Sequence, residues 1–155
     1  MHGVKKSTAA EARKSAENQK KIEVFRAAMA VIMEKKKAGV YDKEGLSRCE
    51  EALGVCPDTN ILWNYRKEAL LASLKPEEGA EGGEEKKFLD DDVVKHEMKL
   101  LEQSIQAFPK SYWIWYHRRW LTQYISSVNW ERELKLCDLL LKADPRNCLF
   151  KKMTS

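Results

Sequence analysis

The sequence predicts an all-α protein built from stacked helical hairpins, that is, an α-α superhelix. Apolar residues recur at three- and four-residue steps through most of the 155 residues, which is typical of amphipathic helices. Three helical segments are each followed by a proline, at Pro57, Pro109 and Pro145, and the segments align position by position. Because one hairpin cannot bury its own apolar stripe, we expect the copies to stack into a right-handed solenoid, one domain over residues 1–155.

The overall composition fits a soluble protein and argues against several other classes. Charged residues make up 34% and apolar residues 43%, and the net charge is only +4 with both signs interspersed. No apolar run approaches the ~20 residues needed to cross a bilayer, and residues 1–21 lack the apolar core of a signal peptide. We therefore expect a cytoplasmic protein with no membrane insertion and no nucleic-acid partner.

The cysteines do not predict a metal site. No two of them form a Cys-x-x-Cys pair, so they are interpreted as reduced and mostly buried side chains of a cytosolic protein. They are Cys49, Cys56, Cys137 and Cys148.

Three helices are predicted in the first half of the chain, over residues 9–37, 43–55 and 60–74. Lysines at the end of the first helix suit the negative pole of the helix dipole, and Gly39 is expected to end it. The predicted apolar stripes are Ile22, Phe25, Met29 and Ile32 in the first helix, Leu46, Cys49, Leu53 and Cys56 in the second, and Leu62, Trp63, Leu70 and Leu74 in the third.

A segment rich in glycine and glutamate, residues 75–89, separates the third helix from the fourth. It is too polar to pack against a core, so it is predicted to be a disordered acidic insertion at the surface.

Three further helices are predicted over residues 90–107, 109–124 and 130–143. Pro109 is expected to begin the fifth helix, because its missing N–H would be unpaired in a first turn anyway. Lys110 would then lie at the positive end of that helix, where an anion is favoured. The predicted stripes are Met98, Leu101, Ile105 and Phe108, then Trp115, Arg118 and Leu121, and finally Leu134, Cys137, Leu140 and Leu141.

The helices that precede the three prolines are copies of one unit. Pro109 and Pro145 are 36 residues apart, whereas Pro57 and Pro109 are 52 apart, and the insertion accounts for the excess. With the prolines in register, the matching positions are apolar in all three copies. The matching sets are Leu46, Met98 and Leu134, then Cys49, Leu101 and Cys137, and then Leu53, Ile105 and Leu141.

The helix after each of the first two prolines carries a Trp-x-x-Arg motif. Trp63 matches Trp115, and Arg66 matches Arg118. We expect structural roles for these residues, with each tryptophan between hairpins and each arginine on the carbonyl ends of neighbouring helices. In the third copy the tryptophan position is Lys151 and the chain then ends. Because repeat arrays end in a polar cap, we expect a C-terminally truncated form of a longer protein.

The motif Pro109-Lys110-Ser111-Tyr112-x-x-Trp115-x-x-Arg118 resembles the repeat of protein prenyltransferase α subunits. Two further segments resemble most closely those of Rab geranylgeranyltransferases (geranylgeranyl transferase type-2). They are Asn129-Trp130-x-Arg132-Glu133-Leu134 and Asp144-x-Arg146-Asn147, and the start Met1-His2-Gly3 points the same way. The resemblance implies an obligate heterodimer whose β subunit, an α-α barrel, holds the zinc and most of the active site.

The resemblance also implies roles for individual residues. In the family, the lysine of the Pro-Lys-x-Tyr motif reaches the diphosphate of the prenyl donor, so Lys110 inherits that role, with Tyr112 as a second candidate. An ammonium group can stabilise charge that develops on a leaving diphosphate. His2 is a candidate to visit the zinc of the partner, because zinc accepts imidazole readily; the alternative is a disordered His2. No cofactor is expected on this chain alone.

By this resemblance the chain, with a β subunit, would assist transfer of geranylgeranyl from geranylgeranyl diphosphate to C-terminal cysteines of Rab GTPases. The chain offers no nucleophile, base and metal set, so it is expected to be inactive alone, with no catalytic residue of its own. Binding of the Rab escort protein stays open, because the family's later helices are missing. Two alternatives remain, namely a non-catalytic scaffold of the tetratricopeptide kind and an RNA-binding α-repeat.

Overall fold

A computed structural model describes residues 8–74 and 88–144, and these two stretches contain six helices and no strand. This confirms the predicted all-α superhelix, and every helix begins and ends within three residues of its predicted bounds. The helices are α1 Ala9–Ala38, α2 Lys43–Val55, α3 Asn60–Ser73, α4 Asp91–Ala107, α5 Tyr112–Thr122 and α6 Trp130–Ala143.

Only the second half of helix α1 packs against the other helices. A capping box between Thr8 and Glu11 begins it, and Gly39, with a left-handed φ of 67°, ends it. Its residues before Phe25 are exposed, so the predicted stripe is wrong at Ile22, whose side chain is 43% exposed. The packed stripe lies further along the helix and consists of Phe25, Ala28, Met29 and Ile32.

The three proline-terminated helices end in the same backbone geometry. The C-cap residues Cys56, Phe108 and Asp144 have φ between −143° and −138° and ψ between 72° and 87°. In each, the backbone N–H donates to the carbonyl four residues earlier at 2.9 Å. A residue that precedes proline is pushed to extended conformations, which explains the shared geometry. The repeat that the sequence predicts is therefore present in the backbone.

Helix α5 begins later than predicted. Ser111 is its N-cap, and the Ser111 hydroxyl accepts the backbone N–H of Ile114 at 3.5 Å. Pro109 and Lys110 therefore lie in the turn before the helix, not in its first turn. A serine accepts the free N–H groups of a first turn, whereas proline only tolerates their absence, so the serine sets the start.

The core is the set of apolar faces that α2 to α5 turn toward one another, closed by the second half of α1 and by Cys137 of α6. Leu134 was predicted to face inward, but its side chain is 54% exposed. The buried aliphatic residues of this core are Ile32, Leu53, Leu62, Leu70, Leu89, Leu100, Leu101, Ile105, Ile114 and Leu121.

The acidic insertion ends earlier than predicted. Leu89 is only 6% exposed, and its backbone N–H donates to the carbonyl of Tyr124 at 2.9 Å, so it belongs to the packed body. The prediction for residues 75–87 lies outside the described residues. The predictions for His2 and for the chain after Asp144 also lie outside them.

Candidate functional site

The turn between α4 and α5 presents the one lysine to which the resemblance assigns a role. Two hydrogen bonds hold the backbone beside it. The Ser111 N–H donates to the carbonyl of Phe108 at 3.1 Å, and the Ser111 hydroxyl donates to the carboxylate of Asp58 in the preceding repeat. The backbone next to Lys110 is therefore held in place by a residue of the first copy.

The Lys110 side chain extends into solvent from this turn and is 73% exposed. Its Nζ lies 2.7 Å from Oδ2 of Asp144, the C-cap residue of α6. Ser111 and Lys110 thus join the turn of the second copy to both neighbouring copies. An exposed ammonium can contact an anion without losing much hydration, so the predicted anion-binding role for Lys110 is sterically open.

Tyr112 begins an exposed aromatic face on α5. Its ring lies 6.1 Å from that of Tyr116, centroid to centroid and nearly parallel, and the ring of Trp113 lies 6.3 Å from that of Tyr116. These side chains are between 40% and 54% exposed. We call Tyr112, Trp113 and Tyr116 the aromatic face. The sequence analysis did not single out Trp113 and Tyr116. A signal was available, because helical spacing places both on the side of α5 opposite Trp115 and Arg118.

The motif tryptophans fix the turns of the repeat. Nε1 of Trp63 donates to the carbonyl of Pro57 at 2.7 Å, and Nε1 of Trp115 donates to the carbonyl of Pro109 at 3.0 Å. Both indoles are at most 3% exposed. The predicted structural role of the two tryptophans is therefore supported by one repeated contact, which ties each helix back to the proline turn before it.

The motif arginines bind carboxylates on the next proline-terminated helix. Arg66 places Nε 3.1 Å from Oε2 of Glu97 and also pairs its Nη2 with that carboxylate. Arg118 binds both oxygens of Glu133, at 2.6 and 2.7 Å. The expectation of helix carbonyl ends as partners is wrong, because among the described residues the one backbone carbonyl that either arginine bonds is that of Leu46, 3.2 Å from Nη1 of Arg66 and in the first turn of α2. A buried guanidinium needs a counter-charge, which a carbonyl does not supply.

Sequence reasoning also missed Glu97 and Glu133, although a signal was available. Each precedes its repeat proline by 12 residues, and Gly45 holds the same place before Pro57. A β-carbon at Gly45 would overlap the hydroxyl group of Tyr65, which donates to the carbonyl of Val40 at 3.0 Å. The first copy therefore replaces the ion pair with a tyrosine packed on a glycine.

His117 lies in the buried centre of the same interface. Its ring lies 4.8 Å from that of Trp63 and 5.4 Å from that of Trp120, and Nε2 lies 3.2 Å from Oε2 of Glu97. Nδ1 has no hydrogen-bond partner among the described residues. Burial lowers the pKa of His117 below its usual value. We infer the neutral tautomer that donates from Nε2 to Glu97, which is a structural role.

Glu97 is the charged centre of this cluster. Burial by itself would raise the pKa of its carboxyl, but the hydrogen bond from His117 and the charge of Arg66 outweigh it and lower the pKa to about 2. Cys49, nearby in the core, is shifted the other way, since burial raises the pKa of its thiol to about 12. It therefore stays protonated and unreactive.

Across residues 8–74 and 88–144, no three His, Cys, Asp or Glu side chains cluster as metal ligands would. Within the same two stretches, none of the helices combines the length and the apolar character that crossing a membrane requires.

The family model described as "Protein prenyltransferase alpha subunit repeat" matches residues 94–125, which run from α4 through α5. This stretch of the chain is therefore similar to a prenyltransferase α-subunit repeat. The matched stretch contains Lys110, Tyr112, Trp115 and Arg118, so the resemblance inferred from these residues is confirmed.

The chain is also similar to whole proteins named geranylgeranyl transferase type-2 subunit alpha. It is 36% identical to the one from Dictyostelium discoideum and 36% identical to the one from Rattus norvegicus, in both cases across 95% of this chain. It is 30% identical to the one from Candida albicans, again across 95% of the chain. The chain spans 46%, 25% and 40% of the lengths of these relatives, respectively.

Proposed function

We propose that the chain acts as an α subunit, or a short form of one, of a Rab geranylgeranyltransferase. In this role it pairs with a β subunit and assists transfer of geranylgeranyl from its diphosphate to C-terminal cysteines of Rab proteins. The observation that carries the proposal is the prenyltransferase repeat at residues 94–125, within which an exposed lysine stands at the predicted diphosphate-binding position.

Lys110 is the diphosphate contact in this proposal. Its ammonium is water-accessible, and it precedes the N-terminus of α5, whose dipole adds positive potential at the same place. The ammonium would stabilise the negative charge that develops on the diphosphate as the bond to the prenyl carbon breaks. Tyr112, two residues further on and half exposed, can donate its hydroxyl to the same anion.

The aromatic face supports a partner protein on this side of α5. Clustered exposed tyrosine and tryptophan side chains are characteristic of protein interfaces, where they supply large contact area at small entropy cost. The face adjoins Lys110 in sequence, so a β subunit that covers it would bring its own active site to the ammonium.

The chain alone is proposed to be inactive. As the family resemblance implies, the zinc and the prenyl chain would be held by the β subunit. Binding of the His2 imidazole to that zinc remains a prediction. The tetratricopeptide-like scaffold is not favoured, because the relatives are named as transferase subunits and the matching repeat is of the prenyltransferase kind.

Co-expression with a geranylgeranyl transferase type-2 β subunit tests the proposal. We expect one heterodimer peak on gel filtration, and prenyl transfer to a Rab substrate in the presence of its escort protein that neither subunit supports alone. Failure of the two chains to co-elute would reject the proposed subunit role.

Lys110→Ala in the heterodimer tests the site. We expect turnover to fall roughly a hundredfold, because one group that stabilises transition-state charge is lost. The thermal midpoint should hardly change, because an exposed ion pair contributes little to folding. Lys95→Ala is the matched control, since Lys95 is also an exposed lysine with one carboxylate partner, Asp92. Wild-type kinetics for Lys110→Ala would refute the role of Lys110.

A further inference from the structure

The Lys110 ammonium already forms an ion pair with a carboxylate of this chain. Oδ2 of Asp144 lies 2.7 Å from Nζ of Lys110. The Asp144 side chain is 30% exposed, so it is better shielded from water than the lysine that it binds. Any anion that reaches the Lys110 ammonium must therefore share it with Asp144.

The backbone holds Asp144 at this place. Asp144 is the C-cap of α6, its N–H donates to the carbonyl of Leu140 at 2.9 Å, and its φ and ψ match those of Cys56 and Phe108 in the other copies. Each copy therefore places the side chain of its C-cap residue at the equivalent position, and only the third copy has a carboxylate there.

The two helix ends beside Lys110 have opposite polarity. The N-terminus of α5 follows Lys110 after Ser111, whereas the C-terminus of α6 carries Asp144. The negative pole of α6 adds to the charge of the carboxylate. Lys110 therefore stands between a positive helix end that favours an anion and a negative one that repels it.

We propose that Asp144 is a resident counter-ion of Lys110 that weakens the grip of this site on diphosphate. This inference rests on the proposed function. With Asp144 present, an incoming diphosphate meets an ammonium whose charge is already balanced, and a bound diphosphate product is repelled by a carboxylate within reach of the same ammonium. Asp144 thereby limits affinity and favours release of the diphosphate product. It does not take part in the bond-breaking step.

Binding of inorganic diphosphate to the heterodimer, measured by calorimetry, tests the counter-ion role. Asp144→Asn keeps the size of the side chain and removes its charge, and loss of a negative charge at a helix C-terminus does not weaken the helix. Removing a unit charge a few ångström from a multiply charged anion in a water-facing site should tighten binding roughly threefold to tenfold. Asp144→Glu, which keeps the charge, should stay close to wild type.

Two further variants make the result specific. Asp138→Asn removes the same charge from the same helix, but Asp138 pairs with Lys142, so diphosphate binding should not change. In a Lys110→Ala background, Asp144→Asn should lose most of its effect, because the shared ammonium is gone. A merely structural role for Asp144 would not tighten diphosphate binding at all.

Each outcome decides between the two proposals. Unchanged or weaker binding in Asp144→Asn, with Lys110→Ala still weakening it, would overturn the counter-ion role and leave the Lys110 contact in place. Wild-type affinity in Lys110→Ala would remove the Lys110 contact and the counter-ion role with it. If no heterodimer forms, the proposed function fails and this inference fails with it.

Discussion

Replacing Glu97 by glutamine should destabilise the fold severely. Arg66 is 1% exposed and Glu97 is 2% exposed, and the guanidinium contacts both carboxylate oxygens. The substitution removes the carboxylate that directly contacts the Arg66 guanidinium and places an amide N–H against its donors. It also weakens the acceptor that His117 uses at 3.2 Å. Breaking a buried pair in this way costs about 3–5 kcal/mol of unfolding free energy.

Urea unfolding of the chain, followed by tryptophan fluorescence, measures this cost. The matched control is Glu102→Gln, which breaks the pair of Glu102 with Arg132 at 2.6 Å. Those side chains are 33% and 62% exposed, so we expect a loss of only about 0–1 kcal/mol. The contrast between two glutamates on the same helix isolates the effect of burial.

A double replacement separates the charge from the packing. Arg66→Met combined with Glu97→Leu removes both charges and keeps apolar volume, so it should cost less than Glu97→Gln alone, because no unpaired charge is left buried. If Glu97→Gln and Glu102→Gln proved equally mild, the argument that Arg66 depends on Glu97 for its burial would be refuted.

Two further predictions concern the acid sensitivity of the buried cluster around Glu97 and the packing of Gly45 within the first copy. On acidification, the folded state should lose stability in two pH ranges. Below pH 6.5, the unfolded chain binds a proton at His117 that the folded chain disfavours, and between pH 4.5 and about 2, protonating Glu97 costs about 3 kcal/mol. A urea midpoint that is flat across both pH ranges would contradict this. Gly45→Ala should lose about 1–3 kcal/mol, since the new β-carbon would overlap the buried Tyr65 ring with Cζ at 2.8 Å. Gly54→Ala, with no atom within 4 Å of its β-carbon, should instead gain about 0.5–1 kcal/mol in the same urea assay, and a gain at both glycines would refute the packing argument.

The repeat register was predictable because it is encoded twice, in the apolar period and in the spacing of the prolines. Trp63 and Trp115 were therefore placed correctly in the core. Glu97 and Glu133 were not recognised, because a glutamate beside an apolar stripe usually belongs to a solvated helix face. Only their equal distance in sequence from a repeat proline marks these two glutamates as equivalent. That spacing identifies them as partners of the arginines only after the arginines are known to be buried and to need a counter-charge.

The partners of the turn could not be predicted in the same way. Asp58 and Asp144 reach the turn from different copies, so no short-range pattern links them to Ser111 or Lys110. The division of α5 into a buried side and the aromatic face also depends on which helices flank it. Such contacts are set by how far one copy is rotated on the next, and periodicity within one helix does not specify that rotation.

The turn that carries Lys110 is positioned by contacts that do not involve the Lys110 side chain. The Trp115 indole holds the carbonyl of Pro109, and Ser111 holds Asp58 of the first copy. The Arg66–Glu97 pair joins α3 to α4, the helix that leads into the turn. Loosening the interface between the first two copies should therefore displace the turn as a unit. If the proposed site operates, substitutions in the buried pair should reduce diphosphate binding although neither residue can reach the anion.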